Sequence, residues 1–61
     1  MARLPFRYQL RLTLADGSPR TFTTYAFNKL DAYGQAAHDA RRELGDDAYR
    51  AATVYGCERV S

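Results

Sequence analysis

The chain contains one cysteine, Cys57, and one histidine, His38, and it lacks tryptophan. A lone cysteine cannot close a disulfide within the chain, and these two residues cannot supply the four ligands of a structural zinc site. We therefore expect neither a metal nor another cofactor. The unpaired thiol, together with the lack of an apolar signal-peptide segment behind Met1, predicts a protein of the reducing cytoplasm.

Long hydrophobic runs are missing as well. No segment approaches the ~20 apolar residues that a membrane-spanning helix needs, so we expect no membrane partner. The 61 residues are predicted to form one domain over 1–61, and a domain of this size buries only about 60% of its unfolded surface. Because disulfides and metals are excluded, association with itself or with a partner is the remaining source of added stability.

Positive charge is concentrated in the first half of the chain. The net charge is +2, yet residues 1–30 carry five basic residues and one acid, whereas residues 31–61 carry four basic residues and six acids. Eight of the nine basic residues are arginine. The planar guanidinium of arginine makes bidentate contacts with carboxylates, phosphates and base edges. The N-terminal half is therefore the more cationic part of the fold.

Apolar and polar residues alternate without interruption over residues 6–14. This period of two predicts a β-strand over about 6–15, with an apolar face toward the core and a polar, arginine-bearing face outward. An Asp-Gly turn follows, and β-branched and aromatic residues predict a second strand over about 20–26. Pairing Leu14 with Phe22 directs Phe22 inward and leaves a threonine inside, and a slip by one residue would reverse every assignment.

A helix is predicted over about 29–44. Asn28 has the side chain of an N-cap residue, Asp31 imitates a capping box, and Gly45 stands at the usual stop position. The spacing of apolar residues at steps of three and four defines a predicted inner face with small residues at its centre: Leu30, Tyr33, Ala37, Ala40 and Leu44. We expect this helix to lie close against the sheet.

A single helical turn capped by Asp46 and a strand over about 52–60 complete the chain. The order strand, strand, helix, strand predicts an α+β fold. After a right-handed crossover, the last strand pairs most simply antiparallel with the first. We therefore expect a three-stranded antiparallel sheet of order 2-1-3, with one helix packed on one face.

Residues suited to catalysis are sparse. The helical phase of His38 places it away from the apolar face, and Cys57 has no positioned base, so a Cys–His pair is not expected. The glycines are scattered through the sequence and form no phosphate-binding loop. We predict that the protein is not an enzyme and has no catalytic residues.

The predicted sheet leaves one face without a helix, which we call the open face. Arginine, tyrosine and hydrogen-bonding side chains on one rigid surface are typical of interfaces, although any antiparallel sheet open on one side shows polar residues to water. The predicted binding residues of this face are Arg7, Gln9, Arg11, Thr23, Tyr25, Tyr55 and Arg59. Thr13, Thr21 and Cys57 are expected beside them.

These features favour a small non-catalytic interaction module that binds a protein or nucleoprotein partner, as an adaptor or an inhibitor. Accessory factors that mobile elements use against host machinery are similarly compact and lack recognisable motifs. One alternative is a nucleic-acid-binding domain that uses the same basic face. Another is a self-associating structural module, a homodimer, because neither outer strand is strongly protected by lysine or proline.

Overall fold

The computed structural model describes residues 6–60 and contains three strands and two helices. The predicted domain limits at residues 1 and 61 lie outside this range. In chain order the elements are β1 (Phe6–Thr13), β2 (Pro19–Ala26), α1 (Lys29–Leu44), α2 (Asp46–Ala51) and β3 (Thr53–Arg59). The strands form an antiparallel sheet of order β2-β1-β3, and α1 packs on the sheet, which confirms the predicted α+β fold.

The β1–β2 hairpin closes earlier than predicted. Phe22 lies opposite Leu10, so the predicted pairing with Leu14 is wrong. The cause is the turn, in which the Leu14 N–H donates to the Ser18 carbonyl (2.8 Å) and the Gly17 N–H donates to the Leu14 carbonyl (2.9 Å). Because the shift is an even number of residues, every β2 side chain keeps its predicted face.

The core lies between the sheet and α1. It combines large side chains of β1 and β2 with a helix surface made almost entirely of alanine: Tyr8, Leu10, Leu12, Phe22, Ala26, Ala32, Ala36, Ala37, Ala40 and Cys57. The prediction that Leu30 belongs to the inner face is wrong, because Leu30 is 82% exposed. Alanines at the contact let the helix backbone approach the leucines of the sheet, whereas a leucine there would hold it away.

Two side-chain hydrogen bonds hold α1 alongside β2. The buried hydroxyl of Thr24 donates to Oε1 of Gln35 at 3.0 Å, which supplies a partner for the threonine that the sequence placed inside the core. At the other end of the strand, the Arg20 guanidinium donates to Glu43 Oε1 at 3.0 Å. The Thr24–Gln35 bond contributes more to stability, since a buried hydroxyl left without a partner costs about 1–3 kcal/mol.

The ends of α1 follow its capping residues. The Asp31 N–H donates to Oδ1 of Asn28 at 2.9 Å, and the Asn28 amide donates back to the Asp31 carboxylate at 3.2 Å. Gly45 has a positive φ of 92° and its N–H donates to the Arg41 carbonyl at 2.8 Å. The prediction that Asp46 caps the next turn is wrong, because Gly45 is the N-cap of α2 and Asp46 is its first residue.

The short helix α2 packs against α1 and adds Tyr49 to the margin of the core. Tyr49 packs against the core cluster, and the Arg41 guanidinium lies 5.3 Å from the centre of its ring. Burial raises the pKa of the Tyr49 hydroxyl, and the neighbouring Tyr33 acts in the same direction. Within residues 6–60, no helix has the length and apolar character required to cross a bilayer.

Candidate interaction surface on the open sheet face

The central strand β1 positions the open face. Its even-numbered residues point into the core beneath α1, so its odd-numbered residues point to the opposite side. Reading across the sheet, Arg7 lies opposite Tyr25. The next residue of this face, Gln9, lies between Thr23 of β2 and Glu58 of β3. Three strands therefore contribute side chains to one continuous surface.

Arg7 and Tyr25 occupy one end of the open face. Tyr25 is 51% exposed and Arg7 is also exposed. The Val60 N–H donates to the Arg7 carbonyl at 2.8 Å, which extends the β1–β3 ladder beyond β3 and anchors the Arg7 backbone. Among residues 6–60, the Arg7 guanidinium has no acidic partner. Arg7 therefore presents an uncompensated cation beside an aromatic ring on a rigid strand.

Arg11 occupies the middle of the open face and has a partner of opposite charge. Its guanidinium lies 3.8 Å from Oε1 of Glu58, and both side chains are exposed. An ion pair of this length in water contributes about 0–1 kcal/mol. The pair therefore adds little stability, but it does offset the positive charge that the arginines of β1 bring to the surface.

Tyr55 occupies the opposite corner, where β3 contains a β-bulge. Gly56 lies opposite Arg11 and Val54 lies opposite Leu12, so Tyr55 is the extra, unpaired residue between them. Gly56 has a φ of 140°, a conformation that residues with a Cβ rarely adopt. The Thr13 hydroxyl donates to the Tyr55 hydroxyl at 3.0 Å. The bulge thus holds the Tyr55 ring, 67% exposed, on the open face.

The bulge also overturns two placements made from the sequence. A strict alternation would put Tyr55, Cys57 and Arg59 on one face, but the extra residue inverts the alternation after Tyr55. Cys57 lies opposite Leu10 and is 2% exposed in the core, where burial raises the pKa of its thiol. Arg59 lies on the helix side of the sheet, with its guanidinium 4.0 Å from the centre of the Phe6 ring.

Glu58 is the open-face residue that the sequence reading missed. Strict alternation would have put Glu58 on the helix side, but it lies beside Gln9, and it brings a negative charge to a surface for which the sequence predicted no acidic residue. The available indication was Gly56, since an isolated glycine inside a strand is typical of a bulge. Of the predicted binding residues, the structure brings six onto the open face and excludes Arg59: the six are Arg7, Gln9, Arg11, Thr23, Tyr25 and Tyr55.

Two grooves lie beside the open face. One of ≈ 410 Å³ runs between the β2 edge and α1 and is lined by Phe22, Thr23, Asp39, Arg42 and Glu43. Another of ≈ 340 Å³ lies where α1 meets α2 and is lined by Arg41, Asp46, Tyr49 and Arg50. Small-molecule sites are usually apolar clefts, whereas these grooves are open and lined with charges.

The two residues considered for a Cys–His pair lie in different environments. His38 is exposed on α1, whereas Cys57 is buried among apolar side chains. Across residues 6–60, no three histidine, cysteine, aspartate or glutamate side chains are grouped closely enough to hold a metal ion.

No family model matches this chain, and neither a curated protein nor a solved structure is significantly similar to it.

Proposed function

We propose that the protein is a small non-catalytic interaction module that binds a partner protein through its open face, as an adaptor or an inhibitor. The observation that carries this proposal is the pairing of Arg7 with Tyr25 on a strand surface that no described element covers. Arginine and tyrosine are enriched among the few residues that dominate the binding energy of protein interfaces, because both offer large contact areas with hydrogen-bonding groups. Their position on paired strands fixes the backbone of both residues before the partner arrives.

The charge of the open face favours a protein partner over direct nucleic-acid binding. Nucleic-acid affinity depends on several basic side chains that neutralise phosphates. Here Glu58 offsets Arg11, and Arg59 lies on the other side of the sheet, so Arg7 alone among the open-face residues described is an uncompensated cation. A partner that places a carboxylate at Arg7 and an apolar group at Tyr25 fits this surface, whether it acts alone or within a nucleoprotein complex.

We place this activity in the cytoplasm. The support is chemical: Cys57 is an unpaired cysteine, and free thiols persist in reducing compartments.

Affinity purification from the native host, with and without nuclease, tests the proposal. The bait should be compared with Arg7→Ala, Tyr25→Ala and the control Arg50→Ala, which removes an exposed arginine from α2, outside the open face. We expect Arg7→Ala and Tyr25→Ala each to weaken partner retention by about tenfold or more, as residues central to an interface do. The control and the nuclease treatment should leave retention unchanged.

Two results would contradict the proposal. If the partner is retained equally by Arg7→Ala, Tyr25→Ala and Arg50→Ala, the open face is not the binding surface. If nuclease removes all bound material, and binding to a labelled oligonucleotide falls steeply with salt, the nucleic-acid alternative replaces it. A protein interface centred on Tyr25 should depend only weakly on salt.

A further inference from the structure

The two edges of the sheet differ in how they are protected. At the β3 edge, the bulge at Tyr55 and the positive φ of Gly56 interrupt the strand. At the β2 edge, pairing with β1 is continuous from Ala26 to Pro19, without a bulge. Within residues 6–60, β2 pairs only with β1. A regular, uncovered edge presents free N–H and C=O groups to another strand.

The free backbone groups of β2 can be identified from the hairpin turn. The Leu14 N–H donates to the Ser18 carbonyl, so these two residues form a hydrogen-bonded pair. Such pairs alternate with non-hydrogen-bonded pairs along an antiparallel ladder. It follows that Thr21, Thr23 and Tyr25 direct their N–H and C=O groups away from β1. Pro19 shares this orientation, which suits a residue that has no N–H to donate.

We propose that two copies of the chain associate by antiparallel pairing of their β2 edges, with the two-fold axis at Thr23. This inference goes beyond the proposed function and does not depend on it. The side chains that would meet on the open face are uncharged: Thr23 lies opposite Thr23 of the second copy, and Thr21 lies opposite its Tyr25. Such cross-strand pairs are favourable, and no like charges face each other there.

The helix side of the edge favours an axis at Thr23 over an axis at Phe22. The Thr24–Gln35 and Arg20–Glu43 hydrogen bonds set α1 alongside β2, so Asp39 is level with Phe22. With the axis at Thr23, Asp39 approaches Gln35 of the second copy. An axis at Phe22 would instead bring the two Asp39 carboxylates together, and like charges in proximity repel.

The resulting dimer has a continuous six-stranded sheet. A two-fold axis perpendicular to the sheet keeps both α1 helices on one side and both open faces on the other. Edge pairing alone buries less area than a standard protein interface, so we expect weak, concentration-dependent association. The groove between the β2 edge and α1 lies at the junction, where it gives the side chains of the second copy room to enter.

Hydrogen exchange measured by NMR on the intact chain tests this pairing directly. Between about 10 µM and about 1 mM, the amides of Thr21, Thr23 and Tyr25 should become protected as concentration rises. The Phe22 and Thr24 amides, which bond to β1, should be protected throughout. Protection of Phe22 and Thr24 also reports that the monomer is folded, so the comparison does not depend on any substitution.

Sedimentation velocity of two variants provides the matched test. Thr21→Pro removes an outward N–H and no bond to β1, whereas Thr21→Val removes the hydroxyl and keeps the N–H. Thr21→Pro should weaken association by about thirtyfold, because the symmetry removes two interchain hydrogen bonds at once. Thr21→Val should associate like the unmodified chain, and Phe22 protection checks that both variants fold.

Three outcomes would overturn the inference. The first is a monomer at every concentration with the Thr21, Thr23 and Tyr25 amides unprotected. The β2 edge would then be available for pairing with an extended segment of another protein, and not with a second copy. The second is a dimer that Thr21→Pro leaves intact, since another surface would then form it. The third is equal weakening by Thr21→Pro and Thr21→Val, which would assign the effect to the side chain.

Discussion

Leu10 and Leu30 are identical side chains in opposite environments, and their truncation to alanine tests the packing of α1. Leu10 is fully buried at the centre of β1, between Phe22 and Cys57. Removing it costs the transfer free energy of the lost atoms and leaves a cavity, in total about 2–5 kcal/mol. A 61-residue domain has a free energy of unfolding of about 3–9 kcal/mol. Leu10→Ala therefore removes a large share of it.

Leu30→Ala is the matched control. Because Leu30 is 82% exposed, its truncation should change the free energy of unfolding by less than about 0.5 kcal/mol. Alanine is also at least as good a helix former as leucine, so α1 itself loses nothing. The two substitutions delete the same atoms, and only burial distinguishes them.

Urea unfolding followed by far-UV circular dichroism measures both changes. With a denaturant slope of about 1 kcal/mol/M for a small domain, Leu10→Ala should lower the midpoint by about 2 M or more, whereas Leu30→Ala should leave it within about 0.5 M. A loss for Leu30→Ala as large as that for Leu10→Ala would refute the reasoning. It would mean that α1 is rotated so that Leu30 enters the core, as the apolar spacing of the sequence predicted.

Two further predictions concern the cap of α1 and the buried thiol. Asn28→Ala should lower the free energy of unfolding by about 1 kcal/mol, because it deletes the acceptor of the Asp31 N–H. Asn28→Ser keeps a side-chain oxygen that can accept this hydrogen bond, so it should retain most of the stability of the native chain. Equal urea midpoints for the two variants would show that the cap is not formed. Burial raises the pKa of Cys57 above its ordinary value of 9.0, so the folded state favours the neutral thiol. That contribution is complete below pH 9.0 and is lost as the pH rises through the folded-state pKa. Urea midpoints from pH 7 to pH 11 should therefore fall more for the native chain than for Cys57→Ala, and parallel curves would exclude a shifted thiol.

The elements with local determinants could be predicted from the sequence. The predicted helix range, 29–44, coincides with α1, because Asn28 and Gly45 satisfy its terminal backbone groups through neighbours in the chain. The apolar face of β1 follows from its alternation, and the α+β topology follows from the order of the elements. The five predicted binding residues of β1 and β2 also lie on the face where the alternation placed them, since these two strands are regular along their paired length.

The remaining features depend on contacts between residues distant in the chain. The partner of Phe22 was decided by how the turn after Thr13 closes, and the inner face of α1 by the close approach that its alanines permit. The face occupied by Glu58 was decided by the bulge at Tyr55. By itself, then, the sequence determined which segments become strands and helices, because capping and alternation act over a few neighbouring residues. Only the tertiary structure decided which side chains share the open face, because strand register and helix rotation are settled by packing against the rest of the chain.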